Sequence, residues 1–366
     1  MAPVGSASDC MESVRRSLRK EGFSEEAASL AAHSRRSSTL RLYDSRLRVF
    51  REWCSGREIP PTEAPLGSVA DFLTFLFNSG RQVNTIRGYR SSVASVHGGF
   101  EDGRSVSNAR PLDLLIRAMA IKRPRVRSLA PPWDMKLVLE ALARPPFEPL
   151  SECALLELSV KTAFLVAAAS ARRRSALHAL STLPGHMRFE PHGVRLVTDA
   201  AFLAKNQRAD FLPAPIFLAD ISTFSSIRED EVWCPVRALR CYLRRTKTLR
   251  GSCTSLFIIS RKPYTRASKD TISRWIVNAI DLAPPTGDSG RPRAHDVRGV
   301  ATSLALYKGV PLEEILQAAA WKSSNTFISS YLHNALRLES RMASAFVPGP
   351  AASVRASAGP STSAGL

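Results

Sequence analysis

The chain has 366 residues, enough for two domains of ordinary size that each bury a core. Its apolar fraction of 44% is that of a globular protein and excludes a wholly disordered one. The net charge of +19 is carried mostly by arginine, 41 Arg against 10 Lys. Arginine's planar fork grips phosphate bidentately, so this excess points to nucleic acid.

The six cysteines form no CxxC pair and no His/Cys ligand spacing, so no metal site is expected. They read as small buried hydrophobes of a reducing compartment. No run of eighteen apolar residues and no charged-then-apolar start is present, so a soluble intracellular protein is expected.

Residues 1–34 are Ser/Ala-rich with one weak helical stretch, Met11–Ala32, and read as a partly disordered extension. Ser37 and Ser38 are candidate caps for a helix running to Trp53, with Leu40, Tyr43, Leu47, Phe50 and Trp53 at helical spacing. Further helices are predicted over Val69–Phe77, Val83–His97 and Pro111–Lys122, which makes residues 35–122 a compact all-α domain. Residues 31–130 hold 17 Lys and Arg against 8 Asp and Glu, a surface suited to gripping phosphates. Residues 123–132, basic and interrupted by Pro124, Pro131 and Pro132, read as an interdomain linker.

The second domain, residues 133–347, opens with a helix over Asp134–Ala143 and a long apolar stretch over Cys153–Ala169, continuous enough to be a fully buried helix. Short β-like runs follow at Met187–Glu190, Val194–Thr198 and Phe211–Phe217. Helices over Cys234–Thr246 and Lys269–Ile280 flank a predicted strand, Leu256–Ile259. The pattern is helical from Ala294 to Val347, and residues 348–366 read as a disordered tail. The fold class is therefore mainly α with a small antiparallel β-sheet in the second domain.

The densest chemistry lies between Arg293 and Tyr331, where His295-Asp-Val-Arg298, Trp321 and Tyr331 bring together an imidazole, a permanent cation, an indole and a phenol. Attack of a side-chain hydroxyl on a DNA phosphate puts extra negative charge on the non-bridging oxygens. Without a metal, preorganised cations and donors must meet that charge. The departing 5′ oxygen must also be protonated, and the phenol must be able to become covalent. His295 and Arg298 stand at i and i+3, on one face of a helix. Asp296 suits that helix's first turn, where a phosphate is also favoured.

In order along the chain, these boxes resemble the tyrosine recombinase (phage-integrase-type) family, and most nearly the recombinases of DIRS-like retrotransposons. Ala169-Ser-Ala-Arg-Arg-Arg-Ser-Ala-Leu-His-Ala-Leu180 is similar to the family's first box. Counting back from Ser175 makes Arg173 the first catalytic arginine, with Arg172 and Arg174 as competing registers. Ala201-Phe-Leu-Ala-Lys-Asn-Gln207 looks like the β-hairpin that carries the family's lysine, here Lys205. His295 and Arg298 match the HxxR box, and Trp321 a position held by His or Trp in relatives. Tyr331, in Asn325-Thr-Phe-Ile-Ser-Ser-Tyr-Leu-His333, matches the nucleophile. Trp233-Cys-Pro-Val-Arg-Ala-Leu-Arg-Cys-Tyr-Leu243 looks like the element-encoded subgroup.

The resemblance covers residues 35–346 and implies a helical core-binding (SAM-like) domain followed by a mixed α+β integrase-type catalytic domain. It implies that Tyr331 attacks DNA to give a 3′-phosphotyrosine bond, with Arg173 and Arg298 holding the phosphate and Trp321 donating to it. His295 would move protons and Lys205 would protonate the leaving oxygen, with no cofactor, metal ion or ATP. Double-stranded DNA, a homotetramer on paired sites and a nuclear location follow from the same likeness. The helix predicted over Ala335–Val347 would dock on a neighbouring protomer. Ala176 stands where the family has Glu, and ten positions separate Trp321 from Tyr331 where many relatives have nine. Tyr307 is the rival phenol, expected to pack, and His178 and His333 are expected to serve only local hydrogen bonds. A nicking-closing enzyme of the type IB topoisomerase kind, or a DNA-binding protein that has lost catalysis, would use the same residues.

Overall fold

The computed structural model describes residues 9–125, 133–199, 201–202, 214–284 and 291–332. The chain divides into two compact units, residues 1–127 and 128–366.

In the first unit, helices α1 (Asp9–Lys20) and α2 (Glu25–Ala32) replace the single weak stretch expected there. Gly22, at φ +92°, turns the chain between them, a conformation that a side chain resists. Ser24 then caps α2 by accepting from the Ala27 amide at 3.2 Å. These helices belong to the unit and are no disordered extension: the Cys10 amide donates to Asp44 at 2.8 Å, and Cys10 is buried with Leu40 and Leu47.

Helices α3 (Ser37–Ser55), α4 (Leu66–Asn78), α5 (Val83–Val93) and α6 (Arg110–Lys122) complete the unit. Arg36, not a serine, occupies the cap of α3 and makes no side-chain capping bond. Phe72 centres the core, 4.8 Å from Phe50, 5.6 Å from Trp53 and 5.9 Å from Tyr89 between ring centroids. At Gly88 on α5 the Arg46 guanidinium of α3 lies over the backbone, in the space that a Cβ would take. Arg90 is buried and joins α5 to Asp113 at 2.5 Å and to the Val106 carbonyl at 2.8 Å, so it holds the fold rather than a partner. Arg87, Arg110 and Arg117 remain exposed.

The second unit opens with α7 (Met135–Leu142), capped by Asp134, and α8 (Leu155–Ser170). Helix α8 is buried nearly all round, as its largely apolar sequence favours, and the polar Ser159, Lys161 and Thr162 are buried with it. It packs against α10 (Pro235–Thr246), α11 (Lys269–Ile280) and α12 (Asp296–Tyr307). Short α9 (Arg174–His178) follows α8, then strands β1 (Met187–Glu190), β2 (Gly193–Leu196) and β3 (Ile216–Ala219), antiparallel in the order β1-β2-β3. A Cβ at Gly193 would lie 2.2 Å from the Leu218 carbonyl oxygen, so only glycine fits this strand pair. Helices α13 (Leu312–Ala319) and α14 (Ser324–Ser330) close the described chain.

The predicted strand Leu256–Ile259 forms only isolated bridges, Ser181 with Ser255 and Ile258 with Arg266. Its apolar residues are core contacts, since Leu256, Phe257 and Ile258 are all buried. Lys205, the linker from 126 onward, the helix predicted over Ala335–Val347 and the tail lie outside the described residues. Among the described residues, no helix is long and apolar enough to cross a membrane.

Lys161 lies in the middle of α8 with no exposed surface. Its ammonium donates to Glu148 at 2.5 Å and to the Leu142 carbonyl at 2.8 Å. Arg237 grips the same carboxylate through two bonds, at 2.7 and 3.0 Å. The Trp233–Leu243 box thereby gains a structural meaning. Trp233 donates to the Leu139 carbonyl at 3.0 Å, the Cys234 thiol accepts from the Arg237 amide at 3.4 Å, and Pro235 begins α10. Burial alone would raise the Glu148 carboxyl, but the bonds from Arg237 and Lys161 outweigh it and hold the group below its ordinary 4.5. Its contribution is therefore complete above the unfolded-state value and is lost as pH falls through the lower folded one. Glu148→Ala, which strands a buried ammonium, is expected to lower the unfolding free energy by about 3–5 kcal/mol. Urea titration at pH 7 measures it, and a loss under about 1 kcal/mol, the range of an exposed pair, would refute the clamp.

Candidate active site

Helix α12 starts where the HxxR box predicts. The Arg293 amide donates to Asp296 at 2.7 Å, which fixes the first turn, and His295 occupies the cap. One turn further, Arg298 is buried, 3% exposed, and donates to the Ala319 carbonyl at 2.6 Å. That carbonyl belongs to the last turn of α13, where a cation is favoured by the helix dipole. Ala320, in the left-handed region at φ +50°, ends α13 and leads into Trp321.

The Arg298 guanidinium stacks 4.2 Å from the Trp321 ring centroid and 5.3 Å from that of Tyr331. Tyr331 follows α14 as its cap, and its amide donates to the Phe327 carbonyl at 2.8 Å. Fully buried Phe327 anchors α14 beside Trp321, at 5.4 Å between centroids, which brings the Trp321 and Tyr331 rings to 4.7 Å. Three residues, Trp321 to Ser323, lie between the left-handed Ala320 and α14. The Tyr331 hydroxyl shares a 2.8 Å hydrogen bond with His295 Nε2. With that nitrogen unprotonated, the phenol donates and the imidazole stands ready to take its proton.

The three consecutive arginines go three ways. Ala171, at φ +49°, flips the chain after α8, and such a turn costs an L-residue about 1–2 kcal/mol. The cost is offset by packing, since Ala171 is buried with Ala319, Trp321 and Phe327. Arg174 leaves toward solvent and pairs with Asp270 at 2.8 Å. Arg173 caps α9 and is half-buried. Arg172 turns inward, 8% exposed, and donates to the Ala214 carbonyl at 3.0 Å. Burial first, then the charge of Arg173 and, more weakly, that of Arg172 push Arg298 down to about 9, while Tyr331 opposes them. Among the described residues no carboxylate pairs with Arg172, Arg173 or Arg298.

His295, Arg298, Trp321 and Tyr331 thus converge, and Arg173 acts on Arg298 through its charge. Among the described residues, three buried N–H groups here have no acceptor: Arg172 Nε, Arg298 Nε and Trp321 Nε1. The indole N–H groups of Trp53 and Trp133 are orphaned in the same way elsewhere, so what sets these three apart is that two of them belong to buried arginines that no described carboxylate pairs. A tetrahedral anion would satisfy both them and the arginines. Tyr307 ends α12 half-exposed, without a hydrogen bond to the site. His178 accepts Arg266 at its carbonyl, 2.7 Å, and burial and then Arg266 hold its imidazole down to about 4. Ala176, in place of the expected Glu, is buried in α9. Sequence spacing did not single out Ser303, whose hydroxyl donates to the Gly299 carbonyl at 2.7 Å and lies 3.3 Å from that of Tyr331. Its position five residues after Arg298 was the one available signal.

No protein-family profile matches the chain, and comparison with curated proteins returns no match. Solved structures do match. A lambda integrase dimer bound to a core site shares 15% identity over 88% of this chain and 96% of its own, with a TM-score of 0.51. The XerH site-specific recombinase, in a post-cleavage complex with its difH substrate, shares 14% over 89% and 94%, with a TM-score of 0.52. The chain has the tyrosine recombinase fold. The Tn1549 transposon integrase, in complex with circular intermediate DNA, adds 10% identity over 93% and 99%, with a TM-score of 0.51. At these identities the likeness speaks for the tyrosine recombinase fold, and the chemistry must be argued from the residues.

Within this tyrosine recombinase fold, Arg173 sits half-buried beside a cation that it repels. Arg173→Ala is therefore expected to leave the urea midpoint of the DNA-free protein unchanged or to raise stability by up to about 1 kcal/mol at pH 7. A loss above about 1 kcal/mol would mean that the guanidinium has a structural partner, contradicting the anion site.

Proposed function

We propose that the chain is a tyrosine recombinase that cuts and rejoins double-stranded DNA through a 3′-phosphotyrosine intermediate. One observation carries the reading. The Tyr331 hydroxyl is 2.8 Å from the His295 imidazole, while the Arg298 guanidinium lies against the same phenol ring. The Tyr331 oxygen attacks phosphorus and the bond to the 5′ oxygen breaks. His295 accepts the phenol proton, and Lys205, by family likeness, protonates the departing oxygen. Arg173, Arg298 and the Trp321 indole N–H meet the charge on the non-bridging oxygens. A 5′ hydroxyl then attacks the phosphotyrosine and releases Tyr331, so the bond energy is conserved and neither ATP nor metal is consumed.

The exposed Arg87, Ser91 and Arg117 line a groove of about 650 Å³ on the first unit, which supports its role in gripping the DNA backbone. A tetramer on paired sites, a mobile-element origin and action in the nucleus belong to the same proposal. Buried Ala176, in place of the family's Glu, favours one alternative, a DNA-binding protein that has lost catalysis. A nicking-closing enzyme differs from a recombinase only in lacking exchange between two duplexes.

A nicked suicide substrate separates these readings. The wild-type chain is expected to form a covalent DNA adduct that Tyr331→Phe abolishes, and Arg298→Ala should slow its formation about 10²–10³-fold. Binding without any wild-type adduct would establish the decayed module. Relaxation of supercoils without strand exchange would establish the nicking-closing enzyme. DNA affinity should also fall steeply with salt, and a shallow log–log slope would contradict an extensive phosphate contact.

A further inference from the structure

The chain buries one more cation beside this site than the proposed reaction uses. Arg172 is 8% exposed, has no carboxylate among the described residues, and makes one bond, from Nη2 to the Ala214 carbonyl, while its Nε has no acceptor. Its neighbour Ala171 packs on Ala319 and Trp321, and Ala319 is the residue whose carbonyl holds Arg298. A strap to a backbone carbonyl needs only a neutral donor such as a glutamine amide. A guanidinium burdens the fold with a desolvated charge close to another. That choice is explicable if the working protein holds an anion here.

We propose that Arg172 is a positioning residue of the phosphate site, a second buried cation after Arg298 that raises the site's affinity for a tetrahedral oxyanion. The inference rests on the proposed strand-transfer reading and adds to it a residue outside the family's catalytic set. The charge of Arg172 weakly disfavours the Arg298 guanidinium, after burial and Arg173. A bound oxyanion leaves that repulsion in place but outweighs it, because each cation then also faces negative charge. The orphaned Nε supplies a donor on the same group, and Ala214, just before β3, anchors its other end.

The test uses the full-length chain and inorganic sulfate as the probe, at ionic strength held constant with chloride. Sulfate is expected to raise the melting temperature of the wild-type protein and to slow its adduct formation on the nicked DNA. Arg172→Gln keeps a donor for Ala214 and removes the charge. It should weaken sulfate binding and slow single-turnover cleavage, each about tenfold or more, and Arg172→Lys should restore part of both. If Arg172→Gln keeps the wild-type sulfate response and cleavage rate, Arg172 is only a strap and the inference fails, while the site reading stands. If the wild-type protein neither responds to sulfate nor forms an adduct, the site reading itself fails. Arg172→Gln protein that melts lower by the same amount with and without sulfate, its response intact, also overturns the proposal.

Discussion

Arg298 is the residue on which this structure turns. It is buried, it leans on a helix C-terminal carbonyl and two aromatic faces, and the charges of Arg173 and Arg172 oppose its own. A buried cation normally has a carboxylate close by, because desolvation otherwise disfavours the charge. This one has a phenol. The deficit is local, and it coincides with three N–H groups that lack acceptors, so the place where negative charge is missing is also the place where donors converge.

The same unit shows that the fold can neutralise a buried cation. Lys161 is more deeply buried than Arg298, yet Glu148 meets it at 2.5 Å and Arg237 completes the network. That cluster joins α7, α8 and α10 and stays compensated with no outside partner. The contrast between the two clusters separates structure from function. One is closed, and the other is open at the position where Tyr331 and His295 meet.

Precise placement of the phenol depends on two residues in the left-handed region, Ala171 and Ala320. Each is an alanine rather than a glycine, each follows a helix, and each precedes a functional side chain. Such strain persists only where surrounding packing determines it. Here the packing is one small cluster formed by Ala171, Ile315, Ala319, Trp321 and Phe327, with Tyr331 against it. Trp321 is therefore both core and candidate donor, and the two roles are compatible because its ring packs while its N–H remains unsatisfied.

Much was legible in the sequence because helical spacing is a local property. The strongly periodic helices, the first β-hairpin, the buried run of α8 and the order of His295, Arg298, Trp321 and Tyr331 all follow from residues a few positions apart. Residues far apart in sequence decided the rest. The spacing to Ser175 singles out Arg173 only by likeness, and which of the three arginines is buried depends on residues far away: Arg172 bonds Ala214 and Arg174 bonds Asp270, 42 and 96 positions from them. The segment Leu256–Ile259 does exchange backbone hydrogen bonds with Leu180, Thr265 and Ala267, but they are divided between separate neighbours and give isolated bridges rather than a ladder. The sequence by itself determined which groups the protein has and in what order. Only tertiary structure decided which charges would be left uncompensated, because burial and pairing are set by long-range packing.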